Sequence, residues 1–179
     1  MKYLNIFFKK RKKTYLHEVL TYLNIKNKIT YKNVLINNIQ NLDQANKNDI
    51  TFFHSSKYKD LLKVTKSNFI ITTSQLSHLL PKLKSKLIVD NVLISVAKIT
   101  EFFYPNSLND QFENKYINID KKNIYKNVKF GSNVVLGENV KIGKNSTIGH
   151  NSIIESNVRI GNNCNIGSNV IIKKTIIGN

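Results

Sequence analysis

Residues 130–173 read FGSNVV LGENVK IGKNST IGHNSI IESNVR IGNNCN IGSNVI IK, and this stretch decides the fold of the second part of the chain. A large apolar residue returns every sixth position without a gap: Phe130, Leu136, Ile142, Ile148, Ile154, Ile160, Ile166 and Ile172. Glycine follows it in six of the eight units, Glu155 and Lys173 being the exceptions. Asparagine stands two positions further on, at 133, 139, 145, 151, 157, 163 and 169, and the next residue is small or apolar. A period of six fits neither an amphipathic helix at about 3.6 nor a single strand at about 2, but it fits a coil of three flat faces with recurring corners. In such a coil each large aliphatic points inward and stacks on its equivalent one coil away. Gly and Asn are expected to supply turn conformations that most residues resist. From Ile172 to Ile177 the period drops to five, which predicts a slip or small loop at a corner.

Glycine also marks a boundary. All seven glycines lie between Gly131 and Gly178, and the first 130 residues contain none. The front half alternates helix and strand patterns. Thr14 is expected to cap a helix whose Leu16, Val19, Leu20 and Leu23 share one face. Strands are predicted at Val34–Ile36, Ile50–Phe53, Asn68–Ile71 and Leu87–Val89. A short helix capped by Ser55 or Ser56 carries Tyr58, Leu61 and Leu62, a helical turn spans Leu76–Leu80, and a last helix runs from Val92 to Phe103. This alternation predicts a small α/β domain with a largely parallel sheet. The expected division is a basic segment at 1–13, an α/β domain at 14–105, a linker at 106–127, and an incomplete β-helix at 128–179.

With 179 residues, 41% hydrophobic and only two prolines, the chain is neither disordered nor collagen-like. No apolar run approaches the ~18 residues of a membrane span. The basic run Lys9–Lys13 follows a very short apolar one, the reverse of a secretory signal, so a cytoplasmic protein is expected. The single Cys164 excludes an internal disulfide and a Cys-rich metal site, and its repeat position makes it a packing residue rather than a nucleophile. The net charge of +17 invites a nucleic-acid reading, but only Arg11 and Arg159 of the 28 basic residues are arginine, the side chain best shaped for phosphate and base contacts. The charge is spread along the chain beside 27 asparagines, which marks a compositional bias and no nucleic-acid partner. No glycine phosphate cradle is present either.

The hexads resemble the hexapeptide-repeat family, which implies a left-handed parallel β-helix, a homotrimer and, for most members, acyl transfer. In the front half, Asn41-Leu42-Asp43-Gln44-Ala45, then Asp49-Ile50-Thr51-Phe52-Phe53-His54-Ser55-Ser56-Lys57-Tyr58, then Thr65-Lys66-Ser67-Asn68-Phe69-Ile70-Ile71 resemble the N-terminal domain of the UDP-3-O-acylglucosamine N-acyltransferases of lipid A biosynthesis. By position, Phe52 and Tyr58 would sandwich a uracil ring. Ser55 falls where the family usually has Asn, the residue that bonds the base, and Ser56 where it usually has Pro. From the residues alone, two aromatics six apart across a strand-to-helix turn can either hold a flat base by stacking or belong to the domain core.

The resemblance implies transfer of a 3-hydroxyacyl chain from acyl carrier protein to the 2-amine of UDP-3-O-acylglucosamine, with no cofactor besides the acyl carrier co-substrate. A β-helix histidine would take the amine proton and backbone N–H groups would steady the oxyanion. His17 and His78 are expected in solvent, and His54 adjoins the nucleotide site. His150, in Ile148-Gly149-His150-Asn151, is either that base or an outward polar residue at a turn. Its place in the fourth repeat is earlier than the family's histidine, so the chain is expected to be an N-terminal portion or short form lacking the catalytic histidine. Two other readings are a non-catalytic UDP-sugar-binding or trimer-scaffold module, and a basic adaptor acting through residues 9–13.

Overall fold

A computed structural model describes residues 6–11, 14–25, 33–118, 125 and 127–179. They fall into two compact units, one spanning Phe8–Asn109 and the other Asp110–Asn179 together with the chain up to Phe7.

In the front unit, α1 (Leu16–Tyr22) buries Leu16, Val19 and Leu20 on one face, the helical spacing read from the sequence. Its cap differs from expectation. Thr14 is buried with its hydroxyl unpartnered among the described residues, and Tyr15 is the N-cap residue, its N–H donating to Glu18 Oε2 at 2.6 Å. The cause is that residues 14–16 are tied to 34–36: Leu16 N–H donates to Val34 O at 2.8 Å and Ile36 N–H to Thr14 O at 2.9 Å. The strand predicted at Val34–Ile36 is therefore only an isolated antiparallel bridge between Leu35 and Tyr15. The sheet begins just after it.

Four strands, β1 (Asn38–Ile39), β2 (Asp49–Phe52), β3 (Phe69–Thr72) and β4 (Ser85–Ile88), lie in that order and are all parallel. Side chains alternate across the sheet. Ile50, Phe69, Ile71 and Leu87 pack in one cluster with α1 and with α2 (Val92–Phe103), while Phe53 and Ile70 pack oppositely with Leu42, Leu62 and Leu80. Every residue of β3 is buried, as befits an inner parallel strand covered on both faces. Helix α2 has the predicted ends, and the Asn91 side chain caps it by accepting from Ile94 N–H at 3.0 Å. The predicted helix after Ser55 is a 3-10 helix, Ser56–Lys63, whose first and last turns close by i to i+3 bonds such as Tyr58 N–H to Ser55 O at 3.1 Å. Only Leu62 on it is buried, so packing does little to favour the α form. A second 3-10 turn spans Ser77–Leu79.

The second unit starts with β5 (Tyr116–Asn118), lying within the stretch read as a linker. The repeats then contribute β6 (Lys129–Phe130), β7 (Val135–Gly137), β8 (Lys141–Ile142), β9 (Thr147–Ile148), β10 (Ile153–Ile154), β11 (Arg159–Ile160), β12 (Asn165–Ile166), β13 (Ile171–Ile172) and β14 (Ile176–Ile177). They build three sheets in which successive repeat strands are parallel: β7-β10-β13, β8-β11-β14 and β6-β9-β12. Leu136 pairs with Ile154 and Ile154 with Ile172, so one coil takes three hexads. The apolar column read from the sequence forms the core of this β-helix-like stack, with Leu136, Ile148, Ile154 and Ile160 buried. The five-residue step after Ile172 is absorbed at the corner, where Lys174 takes φ 51° and Ile177 still pairs with Ile160. Strand β5 lies antiparallel against the outer edge of β7 and covers it.

Gly and Asn divide their work differently from expectation. The seven repeat asparagines from Asn133 to Asn169 all adopt left-handed backbone with φ between 55° and 63°, whereas no glycine has positive φ. Glycine is needed for close approach. A Cβ on Gly143 would stand 2.5 Å from Asn162 N, and one on Gly149 2.4 Å from Ser168 N. Glu155 occupies a glycine position where the coil beyond it, at Lys173 and Lys174, is the one that slips.

Candidate functional site

The front unit places its aromatic cavity at the carboxyl ends of β1 and β2, where open parallel sheets commonly take ligands. After β1 the chain turns through Asn41, whose carbonyl accepts from Gln44 N–H at 3.1 Å and Ala45 N–H at 3.0 Å. Leu42, buried in the core, pins this turn from beneath. The return into β2 is fixed by Asp49, whose Oδ2 accepts from Asn46 N–H at 2.9 Å. At the other end of β2, Phe53 is locked in place: its N–H donates to Ile71 O at 2.8 Å and its carbonyl accepts from Thr72 Oγ1 at 3.0 Å. With Phe53 pointing into the core, strand alternation turns Phe52 and His54 together to the opposite side.

Ser55 then starts the 3-10 helix, its Oγ accepting from Lys57 N–H at 3.3 Å. One turn later Tyr58 comes back over His54. The His54 and Tyr58 rings lie 5.1 Å apart at 43°, and Phe52 and His54 6.0 Å apart at 31°. A cavity of about 350 Å³ opens here, lined by Asn41, Leu42, Asp43, Phe52, His54, Tyr58 and Leu61. It is large enough for a flat ring with its sugar and too small for a long acyl chain as well. A larger hollow, about 530 Å³ at the end of β4, is polar and has no aromatic wall; Asp90, Asn91 and Lys98 are among its lining residues.

The structure thus brings Phe52 and Tyr58 to one cavity, with the His54 ring in contact with both. Ser55 is not among the lining residues. Asn41 and Asp43 are, and residue-by-residue reading did not assign them a role, although they stand in the stretch that carries the family resemblance. A turn residue reveals its ligand-facing side only once the strands on either side are paired.

Residues 33–102 match the family described as UDP-3-O-(3-hydroxymyristoyl) glucosamine N-acyltransferase, LpxD. The whole aromatic cavity lies within the match. Residues 139–174 match bacterial transferase hexapeptide repeats. A 91-residue stretch is 34% identical to the UDP-3-O-acylglucosamine N-acyltransferase of Helicobacter pylori strain J99, covering 50% of this chain and 27% of that protein. The chain therefore matches about a quarter of that relative's length.

His150 belongs to a ladder running up the repeats. Its Nδ1 accepts from Ser132 N–H at 2.8 Å, just as Ser156 Oγ accepts from Glu138 N–H at 2.8 Å, Asn162 Oδ1 from Lys144 N–H at 2.9 Å, and Ser168 Oγ from His150 N–H at 3.0 Å. Each rung satisfies an amide at the corner one coil earlier. Through its Nδ1 the His150 ring is tied to the corner of the preceding coil. His17 stacks on Tyr15 with ring centroids 5.7 Å apart, and His78 lies in the Ser77–Leu79 turn.

Proposed function

We propose that the front unit binds the uridine moiety of UDP-3-O-acylglucosamine, and that the chain is the corresponding portion of an enzyme that moves a 3-hydroxyacyl chain from acyl carrier protein to the sugar 2-amine in lipid A biosynthesis. The observation that carries this reading is the cavity walled by Phe52, His54 and Tyr58, inside the segment that matches the N-acyltransferase family. Aromatic walls hold a flat base by stacking, while Asn41 offers both a donor and an acceptor at the rim, the complement of a pyrimidine imide. Leu42 and Leu61 keep the floor apolar. Ser55, whose oxygen accepts from Lys57 N–H, serves as the cap of the 3-10 helix that carries Tyr58.

Acyl transfer also needs a base to take a proton from the attacking amine and donors for the oxyanion. The ladder role of His150 speaks against its being that base, and supports a division of labour in which these residues bind and orient. The stacked hexads support a left-handed β-helix assembling as a homotrimer in the cytoplasm, with acyl carrier protein as donor and no cofactor. The decisive measurement is calorimetric binding of UDP-N-acetylglucosamine to the full chain. Tyr58→Ala is expected to weaken binding by about 1–3 kcal/mol, roughly five- to more than a hundredfold. Unchanged affinity would refute the stacking role.

A further inference from the structure

At the opposite edge of the same sheet, where β3 and β4 begin, two loops are joined by one lysine. Lys84 Nζ donates to Ser67 O at 2.6 Å and to Thr65 O at 3.3 Å, which ties the loop after the 3-10 helix to the loop before β4. Each loop carries an aliphatic side chain away from the core. Leu83 is 97% exposed and Val64 58%. Leucine at that exposure is a protruding knob with nothing packed beside it. Lys63 and Lys66 flank Val64 in sequence, Lys82 precedes Leu83, and all three are exposed; Asp60 is bonded to Lys63 at 2.9 Å.

We propose that this edge is a contact surface for anionic phospholipid bilayers, with Leu83 and Val64 entering the headgroup region and the lysines lying among the phosphates. The inference is independent of the uridine site. Aliphatic tips ringed by lysine suit a membrane interface because the apolar end can sink about 5–10 Å while the ammonium groups stay with the headgroups. A convex tip needs a partner that deforms around it. A bilayer does so readily, whereas a folded protein would need a matching pocket. Among the described residues no helix is long and apolar enough to cross a membrane, so the contact is peripheral.

The chain contains no tryptophan, so Leu83→Trp places a single fluorescent reporter at the tip, and Leu93→Trp, at an exposed position on α2, serves as the control. With vesicles of phosphatidylcholine and phosphatidylglycerol, emission at 83 is expected to shift to the blue and to be shielded from an aqueous quencher, while emission at 93 stays unchanged. Phosphatidylcholine alone should produce neither effect. No response at 83, or equal responses at 83 and 93, overturns the proposal, the latter because it reports general adsorption of a chain with +17 net charge. A response to soluble polyglutamate as large as that to vesicles also overturns it, in favour of an acidic protein partner. The doubly substituted Val64→Ser, Leu83→Ser chain, unaltered in charge and in core, should bind the anionic vesicles about tenfold more weakly. Undiminished binding overturns the insertion of the two side chains.

Discussion

The two units solve the problem of turning a chain in opposite ways. The front unit has no glycine, and several of its turns and helix starts are secured by different side chains: Asp49 bonds Asn46, Ser55 bonds Lys57, Asn91 caps α2 and Glu18 bonds Tyr15. The repeat unit uses one solution again and again, left-handed Asn beside a close-packed Gly, with a side-chain rung to the preceding coil. Individual turns let the front unit bring Phe52, His54 and Tyr58 to one place. Repetition gives the back unit three outer faces of different character instead: Val135, Ile153 and Ile171 on one, Lys129, Thr147 and Asn165 on another, Lys141, Arg159 and Ile176 on the third. A region built from unlike turns can make a pocket, and one built from like turns makes a surface.

The sharpest test of that comparison is in the two cores. Ile154 is fully buried between Leu136 and Ile172, and Ile71 is fully buried in β3. Ile154→Ala and Ile71→Ala are each expected to cost about 2–5 kcal/mol in denaturant unfolding. If Ile154→Ala costs only a few tenths, the repeat column is not a packed core and the comparison fails. Next in size is the close approach at the corners. Gly149→Ala would press a methyl group against the Ser168 amide and should cost about 1–3 kcal/mol, whereas Gly178→Ala meets nothing within 4 Å and should be neutral. Equal effects at both sites would show that glycine serves flexibility there rather than contact.

The repeat column was legible because one position recurs eight times, so chance cannot imitate it. The division of labour between Gly and Asn was not, since both residues tolerate left-handed backbone and only the spacing between coils shows which one uses it. In the front unit, α2 was read end to end from its apolar stripe. The strand at Val34–Ile36 was misplaced because its residues are strand-like but pair with Tyr15 outside the sheet. At the candidate site, the aromatic pair stood out by residue type and resemblance. The place of Asn41 and Asp43 depends on how β1 meets β2, a long-range fact that no local pattern carries.

The His150 rung offers a smaller and more specific test. Removing the acceptor leaves the Ser132 amide unpaired, so His150→Ala should cost about 0.5–1.5 kcal/mol in denaturant melts. His150→Asn should recover most of that, because asparagine already serves as the rung at Asn162. Uridine nucleotide binding should be the same for both variants. A selective loss of binding in either would mean that His150 does more than join coils.

The smallest expected effect is also the most diagnostic of how the repeat tolerates an exception. Glu155 sits where other units have glycine and is buried, and its carboxyl is raised above the ordinary 4.5, first by loss of solvent and then by the charge of Glu113, with Lys173 offsetting part of it. A folded state that holds this proton more tightly than the unfolded chain loses stability as pH rises from the ordinary value through the raised one. Asp110 has the opposite sign. Its hydrogen bond to Lys173 holds it below the ordinary 3.8, so its contribution is present above that value and disappears as pH falls through the lowered one. That pair is exposed, so its share is minor. Glu155→Gln, which cannot ionise, should therefore melt higher than the parent near neutral pH, with the difference vanishing under acid conditions below the ordinary carboxylate value. Parallel melting profiles across the whole range would show that Glu155 is solvated at the slipped corner, and that the repeat accommodates a charge there without cost.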